Sequence, residues 1–295
     1  MGSYVTELMQ QMDAFVTSTA GVRSPRILYG TAWKKDDTES LVRKAIQQGF
    51  RGIDTACQPK HYHEAGVGAA VSGLLNGPVS KGGLARQDLY LQTKFTSLSG
   101  QDPTRIPYDP QAPLAEQVRQ SFAVSLRNLR TDYLDCLVLH SPLPSAGQTL
   151  EVWRTLESLV DAGGVRQLGI SNCYRIEQLE ALYESARIKP AVIQNRFYAE
   201  TAYDREIRAF CRQHGLIYQS FWTLTANPQV LAHRIVRELA SKYRRTPAQI
   251  LFRYLTQNGI VPLTGTRSET HMREDLDIFE FELADFEREA MDALF

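Results

Sequence analysis

Eight short β-rich runs alternate with longer amphipathic runs along this chain, and that alternation admits few architectures. The strand candidates are RILYGTAW, RGIDTA, LYLQTKF, YLDCLVLH, RQLGIS, AVIQN, LIYQSF and IVPLTG. Between them the helical period predicts helices over residues 38–48, 114–129, 150–162, 176–186 and 204–214. Gly49, Gly163 and Gly215 follow three of these, where a helix end takes a left-handed residue. Sequential strand and helix units build parallel sheets. An open doubly wound sheet is one outcome, but no G-x-G-x-x-G follows the first strand candidate and no acidic residue stands where a ribose partner would. The α/β pattern therefore predicts a closed (β/α)8 TIM barrel as a single domain over residues 26–295, preceded by a helical N-terminal extension, residues 1–25. Residues 67–86 and 96–113 read as long connections after strands, on the face where a barrel carries its chemistry.

The charge balance narrows the partners. The 33 basic residues equal the 33 acidic ones, so no summed field draws the chain to nucleic acid or anionic lipid. A small-molecule ligand is the expectation, with the protein a monomer or weak homodimer. The four cysteines, Cys57, Cys136, Cys173 and Cys211, lie far apart without CxxC pairing, which points to a reducing, cytoplasmic setting. No basic start followed by an apolar core opens the chain, and no apolar run reaches the ~18 residues of a membrane span. MGSYVT matches a myristoylation pattern through Gly2 and Thr6, but no polybasic patch assists a lone lipid.

In such a barrel, functional side chains gather at the C-terminal strand ends. The residues closing the candidates are Asp54, Lys94, His140, Ser171, Asn172, Gln194 and Ser220. Each alone has a plain reading, because strand ends are polar by default. Lys94 says more, since a lysine in a β-rich run needs a counter-charge, and Asp54 supplies one. The stretch QPKHYHEAG follows with His61, Tyr62 and His63. An Asp and Lys pair beside a phenol is expected to lower its pKa and make Tyr62 a general acid, while His140 orients a carbonyl oxygen. Those roles describe carbonyl reduction, with the hydride supplied by a cofactor. His61 and His63 also fit a metal pair of a barrel hydrolase, but Pro59 breaks any strand through them and the remaining ligands are missing, so no metal is expected.

GIDTA with Asp54, EAGVG, LQTKF with Lys94, YLDCLVLHSP with His140, GVRQLGISN with Asn172, IQN with Gln194, TPAQILFRY and DIFEFEL occur in an order and spacing that resemble the aldo-keto reductase superfamily, from about Ile27 to the C-terminus. The resemblance implies an eight-stranded βα barrel that transfers hydride from NADPH, with NADH also open, to an aldehyde or ketone without a metal. It implies that Asp54 and Lys94 tune the tyrosine, Tyr62 protonates the carbonyl oxygen and His140 positions the substrate. Ser171, Asn172 and Gln194 match holders of the nicotinamide carboxamide. Gly30 and Thr31 match the segment beside the nicotinamide and pyrophosphate, and Ser220, Phe221 and Trp222 the segment after the seventh strand. Trp33 and Trp222, with Tyr62 and His140, are the expected substrate contacts; Trp33, residues 96–113, Phe221 and Trp222 suggest an aromatic or extended carbonyl compound, and the extra residues of the loop before EAGVG point to a role in secondary metabolism.

The chain departs from the family pattern at four places. Pro59 stands where the tyrosine usually does, and Tyr62 comes eight residues after Asp54, so the loop carries extra residues. Counting back from EAGVG puts His61 in the tyrosine slot; the resemblance leaves both open, and Tyr62 suits the Asp54 and Lys94 pair better. Gln219 replaces the aromatic residue that stacks on the nicotinamide, with Tyr218 or Trp222 as substitutes. Gly265 and Thr266 replace the Lys-Ser clamp of the 2'-phosphate, and His271 and Asp275 its Arg and Asn, which leaves Arg267 as the phosphate partner. The first 25 residues do not resemble the family's N-terminal hairpin. Some barrels of this superfamily serve as channel-associated subunits that keep a nicotinamide cofactor, so a regulatory role is the alternative to an enzyme.

Overall fold

The computed structural model describes residues 14–76 and 83–295, and it begins with a hairpin instead of the expected helix. Strands β1 (Phe15–Thr17) and β2 (Arg23–Pro25) pair antiparallel, Val16 opposite Ser24. Gly21 turns the chain between them at φ +75°, a backbone state that costs other residues energy. The helical reading of the extension is thereby corrected for residues 15–25, and the remainder of that reading, residues 1–13, lies outside the described residues.

Eight parallel strands then close into a barrel: β3 (Leu28–Gly30), β4 (Gly52–Asp54), β5 (Tyr90–Phe95), β6 (Cys136–Leu139), β7 (Leu168–Ser171), β8 (Val192–Arg196), β9 (Ile217–Phe221) and β10 (Ile260–Thr264). Each pairs with its neighbour in sequence, and β10 closes on β3 through Leu263 opposite Leu28. This is the (β/α)8 barrel that the alternation predicts.

The helices are α1 (Thr38–Gln48), α2 (Glu64–Leu75), α3 (Leu114–Leu129), α4 (Ala146–Asp161), α5 (Ile176–Ser185) and α6 (Arg205–His214), then α7 (Pro228–Leu231), α8 (Arg234–Tyr243), α9 (Pro247–Gln257), α10 (Glu269–Leu276) and α11 (Asp285–Asp292). Their buried stripes carry the packing. In α1, Leu41, Val42, Ala45 and Ile46 face the strands, and Gly49 ends the helix. Thr246 and Gln249 form a reciprocal cap on α9 with Pro247 in its first turn. Residues 67–75, expected in a connection, belong to α2, because Val67, Ala70, Val71 and Leu74 recur at helical spacing on a buried face. Helices α2 and α3 cross at Gly68, where a Cβ would meet the Asn128 carbonyl oxygen at 1.9 Å. That crossing fixes where the loop before α2 enters the barrel mouth.

Candidate active site

The strand ends at the C-terminal face converge on one buried charge pair. Lys94 on β5 and Asp54 on β4 are 1% and 2% exposed, so neither charge is hydrated and each must be satisfied by protein. Lys94 Nζ donates to both Asp54 carboxylate oxygens, at 2.7 and 2.6 Å, and to the Thr55 carbonyl at 2.9 Å, which accounts for its three donors. Asp54 Oδ1 also accepts from the side-chain amides of Gln92 at 2.7 Å and Gln194 at 2.9 Å. Gln219 joins the same layer, its Oε1 accepting from Gln92 at 2.7 Å and Gln194 at 2.9 Å. Below it, Gln167 Nε2 donates to the Tyr90 hydroxyl, which donates to Gln92 Oε1, both at 2.9 Å.

The loop from Gln58 to His63 hangs over this layer. His61 and Tyr62 both donate their backbone N–H groups to the Gln58 carbonyl, and Trp33 N–H donates to the His61 carbonyl at 2.7 Å. The extra residues thus coil into a tight turn, and the two candidate side chains part company. The His61 ring packs on Trp33 with centroids 3.8 Å apart. The Tyr62 ring lies with its centroid 5.3 Å from Lys94 Nζ and 6.0 Å from the His140 ring. His63 turns away, its Nδ1 lying 3.3 Å from the Lys35 carbonyl oxygen. Glu64 anchors the loop's far end. Buried at the start of α2, it accepts from Thr93 at 2.5 Å, Ser125 at 2.8 Å and Asn128 at 3.1 Å, while burial raises its pKa.

The electrostatics differ from the expectation for the phenol. Burial, with the Asp54 carboxylate second, raises the Tyr62 pKa above its ordinary value. The phenol is buried away from water, which disfavours the phenolate, and the Asp54 carboxylate that grips Lys94 at 2.6 Å opposes a second negative charge beside it. His140 is pushed down to about 3 by burial first and the Lys94 charge second, with His61 a smaller cause, so its imidazole is neutral. Thr96 Oγ1 lies 2.6 Å from His140 Nδ1 and fixes the ring.

A sequence profile described as Aldo/keto reductase family matches residues 24–295, nearly the whole chain. The chain belongs to the aldo/keto reductase family. A glyoxal reductase of Bacillus subtilis is 31% identical over 257 residues, covering 87% of this chain and 83% of that protein. An uncharacterized oxidoreductase, YtbE, of the same organism is 30% identical over 285 residues, covering 96% and 93%. Among solved structures, an aldo/keto reductase from Brucella melitensis superposes with a TM-score of 0.79 at 28% identity, covering 95% of this chain and 99% of that one.

Within this aldo/keto reductase the other candidate residues fall into two groups around the mouth. Ser171 ends β7 and Asn172 follows it; Asn172, at φ 52°, donates to the His140 carbonyl at 2.9 Å. Gln219 and Ser220 are both fully buried, Gln219 in the amide layer and Ser220 accepting from Thr223 at 2.9 Å, so the residues of β9's end that reach the surface are Phe221 and Trp222. Gly30 and Thr31 lie beside Asp54, whose carbonyl accepts from Thr31 N–H and Oγ1. The second group surrounds β10. Gly265 accepts from Lys34 Nζ at 2.7 Å, Thr266 from the Tyr29 hydroxyl at 2.8 Å, and Arg267 pairs with Asp37 at 2.6 Å and donates to the Trp33 carbonyl. Burial raises the Asp275 carboxyl to about 7 despite the opposing hydrogen bond from Thr264 Oγ1 at 2.7 Å, whereas His271 is exposed. Among the described residues, no cluster of three His, Cys, Asp or Glu is placed to hold a metal, and no helix is long and apolar enough to cross a membrane.

Four residues near the site escaped the sequence reading: Thr96, Gln92, Lys34 and Arg196. The strand period carries a signal for three of them. Gln92 shares the inward face of β5 with Lys94, Thr96 continues that alternation one residue past the end of β5, and Arg196 stands two residues beyond Gln194 on β8.

Proposed function

We propose that this chain reduces an aldehyde or ketone to an alcohol with NADPH, Tyr62 protonating the carbonyl oxygen and His140 orienting it. The observation that carries the reading is the approach of Tyr62 to Lys94 and His140 above the buried Asp54 pair. A neutral phenol holds a proton ready to give, and Lys94, held by Asp54, stabilises the charge that develops on the phenol oxygen as the proton leaves. The Thr96 hydroxyl is assigned as the donor in its 2.6 Å contact with Nδ1, the tautomer in which the neutral His140 ring carries its own proton on Nε2 and presents that N–H to the substrate oxygen. Trp33 and Trp222, 53% and 47% exposed at the mouth, offer apolar walls for the substrate's body.

A nicotinamide dinucleotide fits the residues present. Gln194 Nε2 is spent on Asp54 and Gln219, but its Oε1 accepts from no described residue, which leaves an acceptor for a carboxamide N–H beside Ser171 and Asn172. When bound, the reduced nicotinamide supplies the hydride for the carbonyl carbon. In this reading Gly30, Thr31, Phe221 and Trp222 border the ring end, while Gly265, Thr266, Arg267, His271 and Asp275 border the adenosine end. Phe221 and Trp222 replace Gln219 and Ser220 as the exposed contacts of β9. Arg267 has donors to spare beyond Asp37 and the Trp33 carbonyl for a 2'-phosphate. Arg267→Ala is expected to weaken NADPH by about tenfold and NADH by less than about twofold in direct binding titrations. Equal losses would remove Arg267 from the 2'-phosphate.

Because His140 titrates near 3 and the phenol above its ordinary value, neither ionises in the neutral range. The reduction rate under saturating cofactor and substrate is therefore expected to stay level from about pH 5 to 9. A fall with an apparent pKa near that of an ordinary histidine would contradict the neutral His140. The reading as a whole is tested by consumption of NADPH against a panel of aldehydes and ketones. Tight cofactor binding without turnover on any of them would replace it with a regulatory role.

A further inference from the structure

The C-terminal end of β8 carries a cation for which the described residues provide no counter-charge. Along β8 the side chains alternate: Gln194 reaches inward to Asp54, Asn195 outward to Asp204 at 2.7 Å, and Arg196 inward again, one step nearer the mouth. Its guanidinium carbon sits 4.2 Å from the Trp222 ring centroid and 5.1 Å from that of Tyr198. No carboxylate among the described residues pairs with it, and its Nε is buried without a hydrogen-bond partner. Leaving such a donor unmet is costly, and a native structure tolerates it where something else completes the site.

The surroundings connect Arg196 to the strand ends at the mouth. Arg196 is opposite Phe221 in the β8 and β9 ladder. Its own N–H donates to the Tyr174 hydroxyl, which donates to Asn172 Oδ1. Asn172 and Trp222 both hold left-handed backbone, at φ 52° and 55°, a strained state that tends to mark binding sites. Arg196 is thus wired to the strand ends that, in the reading above, border the nicotinamide half of the dinucleotide. It stands on a different strand from the β10 group around Arg267.

We infer that Arg196 binds the pyrophosphate of the nicotinamide dinucleotide, with the Trp222 and Tyr198 rings holding its planar fork in place. The inference rests on the proposed dinucleotide chemistry and adds a ligand that neither the sequence reading nor Arg267 supplies. Two properties suit the role. Stacking leaves the edge of the guanidinium free to donate two parallel hydrogen bonds to phosphate oxygens, and it reduces the side-chain freedom lost on binding. A pyrophosphate is common to NADPH and NADH, so this contact is blind to the 2'-phosphate.

The test is calorimetric titration of NADPH and NADH into the wild-type chain, Arg196→Met and Arg196→Lys at two salt concentrations. Arg196→Met is expected to weaken both cofactors alike, by at least about tenfold, with a shallower dependence of Kd on salt than the wild type shows. A residue that merely braces Trp222 would not change that salt dependence. Arg196→Lys, which keeps the charge without the fork, should recover part of the affinity, and it carries the test if the methionine variant does not fold. Affinities within about twofold of wild type for both cofactors, or a loss confined to NADPH, would overturn the assignment. If the wild-type chain itself binds neither cofactor, the carbonyl-reduction reading falls together with it. If the wild type binds and Arg196→Met matches it, only the pyrophosphate contact is lost.

Discussion

Tyr62→Phe is expected to lower the turnover of carbonyl reduction by a factor on the order of 100 to 10,000 while cofactor affinity stays within about twofold. The ring that fills the space between Lys94 and His140 remains, so the change removes one proton donor and little packing. His61→Ala serves as the control. Its imidazole leans on Trp33 at 3.8 Å, so losing it should disturb that wall and shift KM by a few-fold with turnover largely kept. Steady-state kinetics on both variants, with cofactor titrations alongside, give the answer. Near-full activity in Tyr62→Phe combined with inactivity in His61→Ala would hand the proton to His61.

Lys94→Met should be the most damaging single change to stability as well as to activity. It leaves the Asp54 carboxylate 2% exposed with only the Gln92 and Gln194 amides to meet it. Breaking a buried ion pair from one side costs about 3–5 kcal/mol, and for a chain of this size that lowers the melting temperature on the order of 10 °C. Adding Asp54→Asn to Lys94→Met removes the stranded charge and should restore part of the loss, a coupling that a double-mutant cycle measures. A melting temperature for Lys94→Met within about 2 °C of wild type would mean that the pair contributes little to folding.

The barrel was legible because each of its eight units is long enough for the strand and helix periods to separate. The hairpin was not. Its strands are three residues each with no helix after them to complete a repeating unit, which β3 and β4 of equal length do have, and only Gly21 marks the turn. At the site, Asp54, Lys94 and His140 could be read from strand ends, since a strand end fixes a side chain's place. The loop that follows β4 could not be read this way. Which of His61 and Tyr62 faces Lys94 depends on the Gln58 carbonyl, the Trp33 ring and the Glu64 anchor, contacts from three separate elements. The direction of the Tyr62 shift was missed for a related reason. The sequence places a lysine nearby, but only the folded structure shows how deeply the phenol is buried and that the Asp54 carboxylate lies close enough to oppose a phenolate.

The column of side chains running from Gln167 through Tyr90 and Gln92 to Asp54 has a polarity, since each member donates upward to the next. Turning the Gln92 amide over would set its oxygen against Asp54 Oδ1 and Gln219 Oε1, acceptor facing acceptor in a dry interior. The orientation of the carboxylate that grips Lys94 is therefore inherited from the barrel floor, several strands and one whole layer beneath the mouth. Descendants of this sequence are free to vary their rims one residue at a time, but the four members of this column are constrained to change in concert.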